Sequence, residues 1–374
     1  MEFIKIKDLF TIKKGKKVEQ VDKQENTTRY IQIDDLRNND NIKYCNSNGK
    51  YVYAEENDII IAWDGANAGT IGYGLNGAIG STLALLSKQD EKFDSEYCGL
   101  FLKSKFKYLR DKCTGATIPH ISKSSLEELK IPRLELEEQL KIVNIINLSQ
   151  KLIDKRKEQI TLLDELVKSR FIEMFGDPIN NSKEWKKVKL ETLGEWKTGG
   201  TPSRSNPEYF KGKIPWLSSG ELNNKYCFES NEHITEEAIS NSATKLIKKE
   251  SLLLGMYDTA ALKSTINMIE CTCNQAIAYS KLSSELVNTV YVYYCIQIGK
   301  DYYKSLQRGV RQKNLNLTMV KELEIILPIL ELQNEFADFV NQVDKLKFEM
   351  ERSLKELEDN FNSLMQKAFK GELF

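Results

Sequence analysis

The sequence predicts an α+β protein: two domains, mainly β with some helices, separated by two long helices that pair as an antiparallel coiled coil. The whole reads as an internal repeat with pseudo-twofold symmetry. Three observations predict this. First, residues 327–374 resemble residues 131–177, each opening with an apolar-Pro-x-Leu-Glu-Leu lead-in (Pro132, Leu134, Leu136; Pro328, Leu330, Leu332). Second, each lead-in is followed by a run without Pro or Gly, rich in Glu, Lys, Leu and Gln, which are strong helix formers. Third, apolar residues recur every seventh position in both runs, the pattern of a coiled-coil seam.

The elements follow in order. Residues 1–131 form the first domain. Its short β-branched runs "FIKIKDL", "RYIQIDDL" and "ENDIIIAWDGANAGTIG" are broken by Gly, Asn and Asp, as strands and turns are. The stretch "DSEYCGLFLKSKFKYLRDKC" reads as its helix. Residues 132–177 form the first spacer helix, with a seam at Ile146, Ile153, Ile160 and Val167. Residues 178–326 form the second domain, in which "WKKVKLETL", "IPWLSSGEL" and "KESLLLGMYDTAALKSTI" stand for the three runs above. "GATIPHISKSSLEELKIP" and "GVRQKNLNLTMVKELEIILP" close the two domains, and "SELVNTVYVYYCIQIGKDYYKSL" is the second domain's helix. Residues 327–374 form the second spacer helix, with a seam at Val343, Met350, Leu357 and Leu364 in constant register with the first. A helix of about 40 residues is a rod roughly 60 Å long. Antiparallel pairing of two such rods puts one domain at each end, a dumbbell.

Composition narrows the function. At 374 residues the chain suits two domains. Its 54 basic and 54 acidic residues cancel, which excludes a nucleic-acid binder that is basic all over but not one with local basic patches. No apolar run approaches the ~20 residues of a membrane span. The start "MEFIKIKDLFTIKKGKK" mixes charge into its apolar residues, unlike a signal peptide. The seven cysteines are scattered, Cys271 and Cys273 lacking a second pair for a zinc site. Free thiols in a cytoplasmic protein are the expectation, and no metal site is expected.

Candidate contact residues collect in the loops. Lys13, Lys14, Lys16 and Lys17 surround Gly15 in the first domain. The equivalent loop of the second domain, "TGGTPSRSNPEYFKGKIPWLSSGEL", offers Thr198, Gly199, Gly200, Thr201, Ser203, Arg204, Lys211, Trp216, Ser218 and Ser219. Its Gly-Gly-Thr-Pro turn is expected to let backbone approach a partner, with arginine and hydroxyls holding phosphates or base edges. Tyr257, Arg308, Arg311 and Lys313 complete the set. Two dissimilar loop-rich domains on a rigid rod suit the reading of two different half-sites at fixed spacing, since symmetry in a DNA reader mirrors that of its site.

Catalytic patterns are weak. The two histidines, His120 and His233, belong to no metal or nucleophile arrangement. Gly72–Gly77 matches G-x-G-x-x-G, but "AIGSTLALL" after it alternates like a strand, where a dinucleotide site needs a helix. Asn206-Pro207-Glu208-Tyr209 lacks the second proline of the amino-methyltransferase motif, and no phosphate-binding G-x-x-x-x-G-K-[ST] occurs. Alternative readings are a coiled-coil adaptor with protein-binding domains and a stand-alone DNA-modifying enzyme.

The order of "GGTPSRSNPEYFKGKIPWLSSGEL", "LLLGMYDTAALKSTI", "CTCNQAIAY" and "GVRQKNLNLTMVKELEIILPILELQNEFADFV" resembles the specificity (S) subunit of type I restriction-modification systems, a host-defence family. The first half follows the same plan with weaker motifs, "GAIGSTLAL" standing for "CTCNQAIAY" and Thr82–Leu83 for Asn274–Gln275. The resemblance implies two target-recognition domains reading the halves of a split, asymmetric double-stranded DNA site, with the helix pair as a ruler for the unread spacer. It implies a non-catalytic subunit that binds no cofactor itself. Two modification subunits would bring S-adenosylmethionine and methylate an adenine in each half-site, and restriction subunits using ATP and Mg²⁺ are further partners for cleavage.

Overall fold

The structure is a computed structural model describing residues 2–115, 117–257, 261–307 and 314–373. The chain divides into two compact units, Met1–Lys157 with Arg352–Phe374, and Glu158–Glu351.

In the first unit, strand Phe3–Lys5 pairs antiparallel with Lys130–Pro132, so the domain is tied off just before the long helix. A four-stranded antiparallel sheet runs in the order Phe10–Lys14, Leu83–Lys88, Ile59–Ala62, Ile71–Tyr73. Ile59, Ile60, Ile61 and Ala62 are all buried: both faces of this strand are covered, so its sequence is a continuous apolar run rather than an alternating one. A second sheet orders Lys43–Asn46, Thr27–Ile31, Gly77–Ile79 and Tyr53–Ala54, with Thr27–Ile31 and Gly77–Ile79 parallel. The core joins Ile59, Ile61 and Leu86 of the first sheet to Tyr97 and Phe101 of helix Ser95–Ser104. Ile142 and Ile146 from the first long helix (Leu136–Phe175) close the same core, as do Met365, Ala368 and Phe369 from the second (Leu330–Lys370). The two helix segments of this unit are therefore antiparallel neighbours, and Lys157 reaches Glu358 at 2.8 Å.

The second unit repeats the plan. The order Lys197–Thr198, Ile277–Ser280, Leu252–Gly255, Ser264–Asn267 matches the first unit's main sheet, with Tyr226–Cys227 added at the edge. The order Glu232–Ile234, Ile214–Leu217, Thr272–Cys273 matches three strands of the other sheet, including the parallel pair. Strand Lys187–Lys189 pairs with Glu324–Ile326 as the first domain's terminal strands pair. Leu163, Val167, Phe171 and Phe175 of the first long helix meet Phe336, Val340 and Val343 of the second against Tyr291 of helix Thr289–Ile298. Asp164 and Lys347 at 2.7 Å, and Arg170 and Glu335 at 3.1 Å, again give antiparallel pairing. Lys225 fixes the β domain to the helix, its Nζ 2.6 Å from Asp344 Oδ1 and 3.1 Å from the Tyr294 hydroxyl.

The register of the repeat differs from the sequence expectation. The heptads pair Ile146 with Val343, whereas the structure makes Val340 its counterpart. The helices begin at Leu136 and Leu330, and buried Gln139 and Gln333 do the same work three residues later. Gln139 accepts from Asp94 N and donates to the Leu134 carbonyl; Gln333 accepts from Asn288 N and donates to that of Pro328. A seam stepping alternately by three and four residues lands on apolar side chains under either alignment, so the heptads alone could not choose. Of the expected seam residues, Ile146, Ile153, Val167 and Val343 are buried, while Ile160, Met350, Leu357 and Leu364 are half-buried. Leu148, Leu152, Leu162 and Leu166, off the seam, are exposed. Among the described residues no helix is long and apolar enough to cross a membrane.

Candidate nucleic-acid interface

In the second domain the loop after strand Lys197–Thr198 is built from below. Gly199 N donates to Ile277 O and Gly200 N to Cys273 O, at 3.1 and 2.9 Å. A Cβ on Gly199 would lie 2.2 Å from Cys273 O, and one on Gly200 2.5 Å from Thr244 N. Both glycines are buried. Within the domain, these two glycines let the loop approach its own backbone at Cys273 and Thr244 closely. Trp216 is likewise under the loop, 3% exposed, its Nε1–H donating to Gly200 O at 3.0 Å. It supports the loop and is not part of its surface. The physical reason is common to all three: a loop without regular hydrogen bonding must satisfy its backbone from side chains and close packing beneath it.

Of the expected contact residues the loop exposes Thr201, Ser203, Arg204 and Lys211, with Ser205 beside them. Thr201 donates its hydroxyl to Gln275, and Ser203 and Ser205 bond each other at 2.7 Å. Arg204 lies over the Phe210 ring at 4.0 Å, and its two terminal nitrogens each reach a carboxylate oxygen of Glu232 at 2.7 Å. That bidentate pair holds the Glu232 carboxyl below its ordinary range. Lys211 is 2.6 Å from Glu208. Arg204 and Lys211 are thus met by acids of the same domain, which the sequence separation of Arg204 from Glu232 concealed. Ser218 is half-buried and caps the turn Ser219–Glu221, both its backbone N–H and its hydroxyl donating to Glu221 at 2.8 Å. Ser219 and Thr198 are half-buried and Tyr257 is exposed, its backbone bridged to Asn314. Arg308, Arg311 and Lys313 lie outside the described residues.

In the first domain Lys13, Lys14, Lys16 and Lys17 are all exposed. They flank Gly15, whose Cβ would meet Gly80 O at 2.1 Å. Gly15 N donates to Leu83 O as Gly199 N does to Ile277 O, so these loops are equivalent. The same bonding corrects one alignment: Leu83 stands for Ile277, hence Gly80–Ser81, not Thr82–Leu83, stand for Asn274–Gln275. Sequence reasoning missed a cluster beside this loop, in which Asp64 meets His120 Nδ1 at 2.5 Å and Lys14 Nζ at 2.7 Å. Its members are far apart in the chain, and only the topology joins them.

The chemistry of these surfaces is that of recognition. Cys271 and Cys273 are buried, burial pushing the Cys271 thiol up to about 12, so neither is a nucleophile at neutral pH. Gly72–Gly77 spans the end of strand Ile71–Tyr73 and the start of Gly77–Ile79, with no helix after it. Among the described residues no cluster of three or more His, Cys, Asp or Glu is placed to hold a metal.

Comparisons with known proteins agree with this architecture. A family model described as "Type I restriction modification DNA specificity domain" matches residues 1–162 and 182–359. The type I restriction enzyme MjaVIII specificity subunit of Methanocaldococcus jannaschii is 26% identical over 378 residues, spanning 95% of this chain and 88% of that protein. The MjaIX specificity subunit of the same organism is 23% identical over 299 residues, 75% of this chain and 69% of its own. Among solved structures, the type I restriction-modification S subunit from M. genitalium has a TM-score of 0.57 at 17% identity, over 98% of this chain and 96% of that one. A chain from a structural study of complex assembly and conformational transition of the type I R-M system has a TM-score of 0.68 at 15% identity, over 100% and 98%; both share the fold. With the family match in both halves, the chain belongs to the type I restriction-modification DNA specificity family, and is a non-catalytic DNA-recognition subunit.

Proposed function

We propose that each β domain reads one half of a split, asymmetric double-stranded DNA site, while the two long helices set the length of the unread spacer. The observation that carries this is that one scaffold occurs twice with different side chains on equivalent loops: lysines around Gly15 in one, hydroxyls and Arg204 after Gly199 in the other. Equal scaffolds with unequal surfaces suit unequal half-sites. In the first domain Lys13, Lys14, Lys16 and Lys17 face the phosphates. In the second, Thr201, Ser203, Arg204, Lys211 and Tyr257 contact DNA, with Arg308, Arg311 and Lys313 added from the sequence. Thr198, Gly199, Gly200, Trp216, Ser218 and Ser219 hold that surface in shape.

Two modification subunits bring S-adenosylmethionine and methylate an adenine in each half-site, and restriction subunits join with ATP and Mg²⁺ for cleavage, in the cytoplasm. Exposed leucines on the first long helix, Leu148 and Leu152 in one unit and Leu162 and Leu166 in the other, support docking there, because apolar side chains bared at helical spacing on a surface signal a partner. The test is to insert one heptad into both long helices and map methylated adenines. The spacer should lengthen with both half-sites kept; a changed half-site at constant spacer would refute the ruler.

A further inference from the structure

We propose that Lys14, Asp64 and His120 form a phosphate clamp in the first recognition domain: the Asp64 carboxylate aims the Lys14 ammonium and the His120 imidazolium at one phosphate of the DNA backbone. This rests on the DNA-reading role of that domain.

The placement of the three groups is directional. Asp64 sits in the turn after strand Ile59–Ala62 with its side chain 16% exposed, while those of His120 and Lys14 are 46% and 52% exposed. An acid inside with two bases outside leaves a surface that is locally cationic. Oδ1 accepts from His120 Nδ1–H at 2.5 Å and Oδ2 from Lys14 Nζ at 2.7 Å. Burial acts to raise the Asp64 carboxyl, but the hydrogen bonds from Lys14 and His120 outweigh it and hold it below its usual range. The carboxylate therefore stays charged at neutral pH. With Nδ1–H so engaged, Nε2 is the ring atom left for a ligand.

The backbone here does not depend on the charges. His120 N and O bond Thr114 O and N at 2.7 and 2.9 Å, Ile121 N donates to Trp63 O at 2.9 Å, and Gly65 N to Pro119 O at 2.9 Å. In the second domain the same bridge joins Tyr257 to Asn314, and Leu315 N donates to Met256 O at 2.8 Å. Gly15 and Gly199 are equivalent, so Thr198 stands for Lys14 there. A lysine, an acid and an imidazole in one domain are thus a threonine, a phenol and a carboxamide in the other, on one framework. A purely structural ion cluster would be needed in both. The charged groups of this cluster are Asp64 from the turn and Lys14 from the strand; Arg110 is engaged elsewhere in the same turn, its guanidinium donating to the Ala66 carbonyl.

The test uses the chain assembled with its modification subunits and a duplex carrying its site, titrated against salt at pH 6 and pH 8. Binding by the unaltered complex should tighten several-fold from pH 8 to pH 6, because a proton is taken up with the phosphate. His120→Asn, the second domain's residue, should abolish that pH dependence and lower the slope of log K against log salt by about one at pH 6. Lys14→Thr should lower the slope by about one at both pH values and keep the pH dependence. If His120→Asn keeps the wild-type pH dependence, or alters the half-site recognised at unchanged salt slope, the clamp is overturned. If the unaltered complex binds unrelated duplexes equally well, the DNA-reading role itself fails and the clamp with it.

Discussion

Arg204 offers the most informative perturbation, through its partner. In the free domain its guanidinium is held by two 2.7 Å bonds to Glu232, so a phosphate must displace or share that carboxylate. The side chains are 53% and 41% exposed, and solvent screening limits such a pair to about 1 kcal/mol or less even with bidentate geometry. Replacing Glu232 by Gln keeps the shape and removes the charge. The domain should lose no more than about 1 kcal/mol, a melting shift of about 2–4 °C at most for a unit of this size. DNA affinity should rise, since the cost of freeing Arg204 is gone and a negative charge near the phosphates is removed. One kcal/mol corresponds to about fivefold in Kd, and one further unpaired cation should steepen the salt slope by about 0.9. The assay is a salt titration of duplex binding by the assembled complex, with Arg204→Ala beside it. Unchanged or weaker binding by Glu232→Gln, with Arg204→Ala also silent, would refute a DNA contact at Arg204.

Three further outcomes are expected. Phe171→Ala empties a buried site where the ring sits 4.9 Å from Phe175, 5.4 Å from Phe336 and stacked at 5.6 Å on Tyr291. It should cost about 3–5 kcal/mol in urea unfolding, and a loss under about 1 kcal/mol would mean the helix ends do not pack there. Asp344→Asn leaves the Lys225 ammonium buried without its counter-ion and should destabilise by about 3 kcal/mol at pH 7. Burial already lowers the Lys225 pKa, so this loss should shrink on going to alkaline pH as the lysine gives up its proton; a loss that is constant with pH would contradict the assignment. Asp64 titrates below its ordinary value, so its contribution is present above about pH 4 and lost as pH falls through the folded value. Asp64→Asn should therefore lower the melting temperature at pH 7, and the difference should shrink as the pH falls below about 4 and vanish below the folded value.

The repeat and the helices were legible because they rest on periodic signals: heptads, lead-in prolines, and strands whose apolar runs are buried on both faces. Their register was not. Shifting by three residues kept Ile146 opposite an apolar position, and only the buried glutamines at 139 and 333, each joined to a distant backbone, fix the alignment. The candidate site was legible as a loop but not in its division of labour. Trp216 and the two glycines look like contact residues in the sequence because they are unusual; they are unusual because the loop must be supported from beneath. The pairs Arg204 with Glu232 and Asp64 with His120 join residues far apart in the chain, and no local pattern announces them.

The measurement that bears most directly on the account is a map of methylated adenines from cells carrying this chain with its modification subunits, repeated after residues 178–326 are replaced by the corresponding domain of another specificity subunit. The account predicts a two-part motif of which one half changes while the other half and the spacer stay as they were. A motif unchanged in both halves, or changed in both, would contradict it.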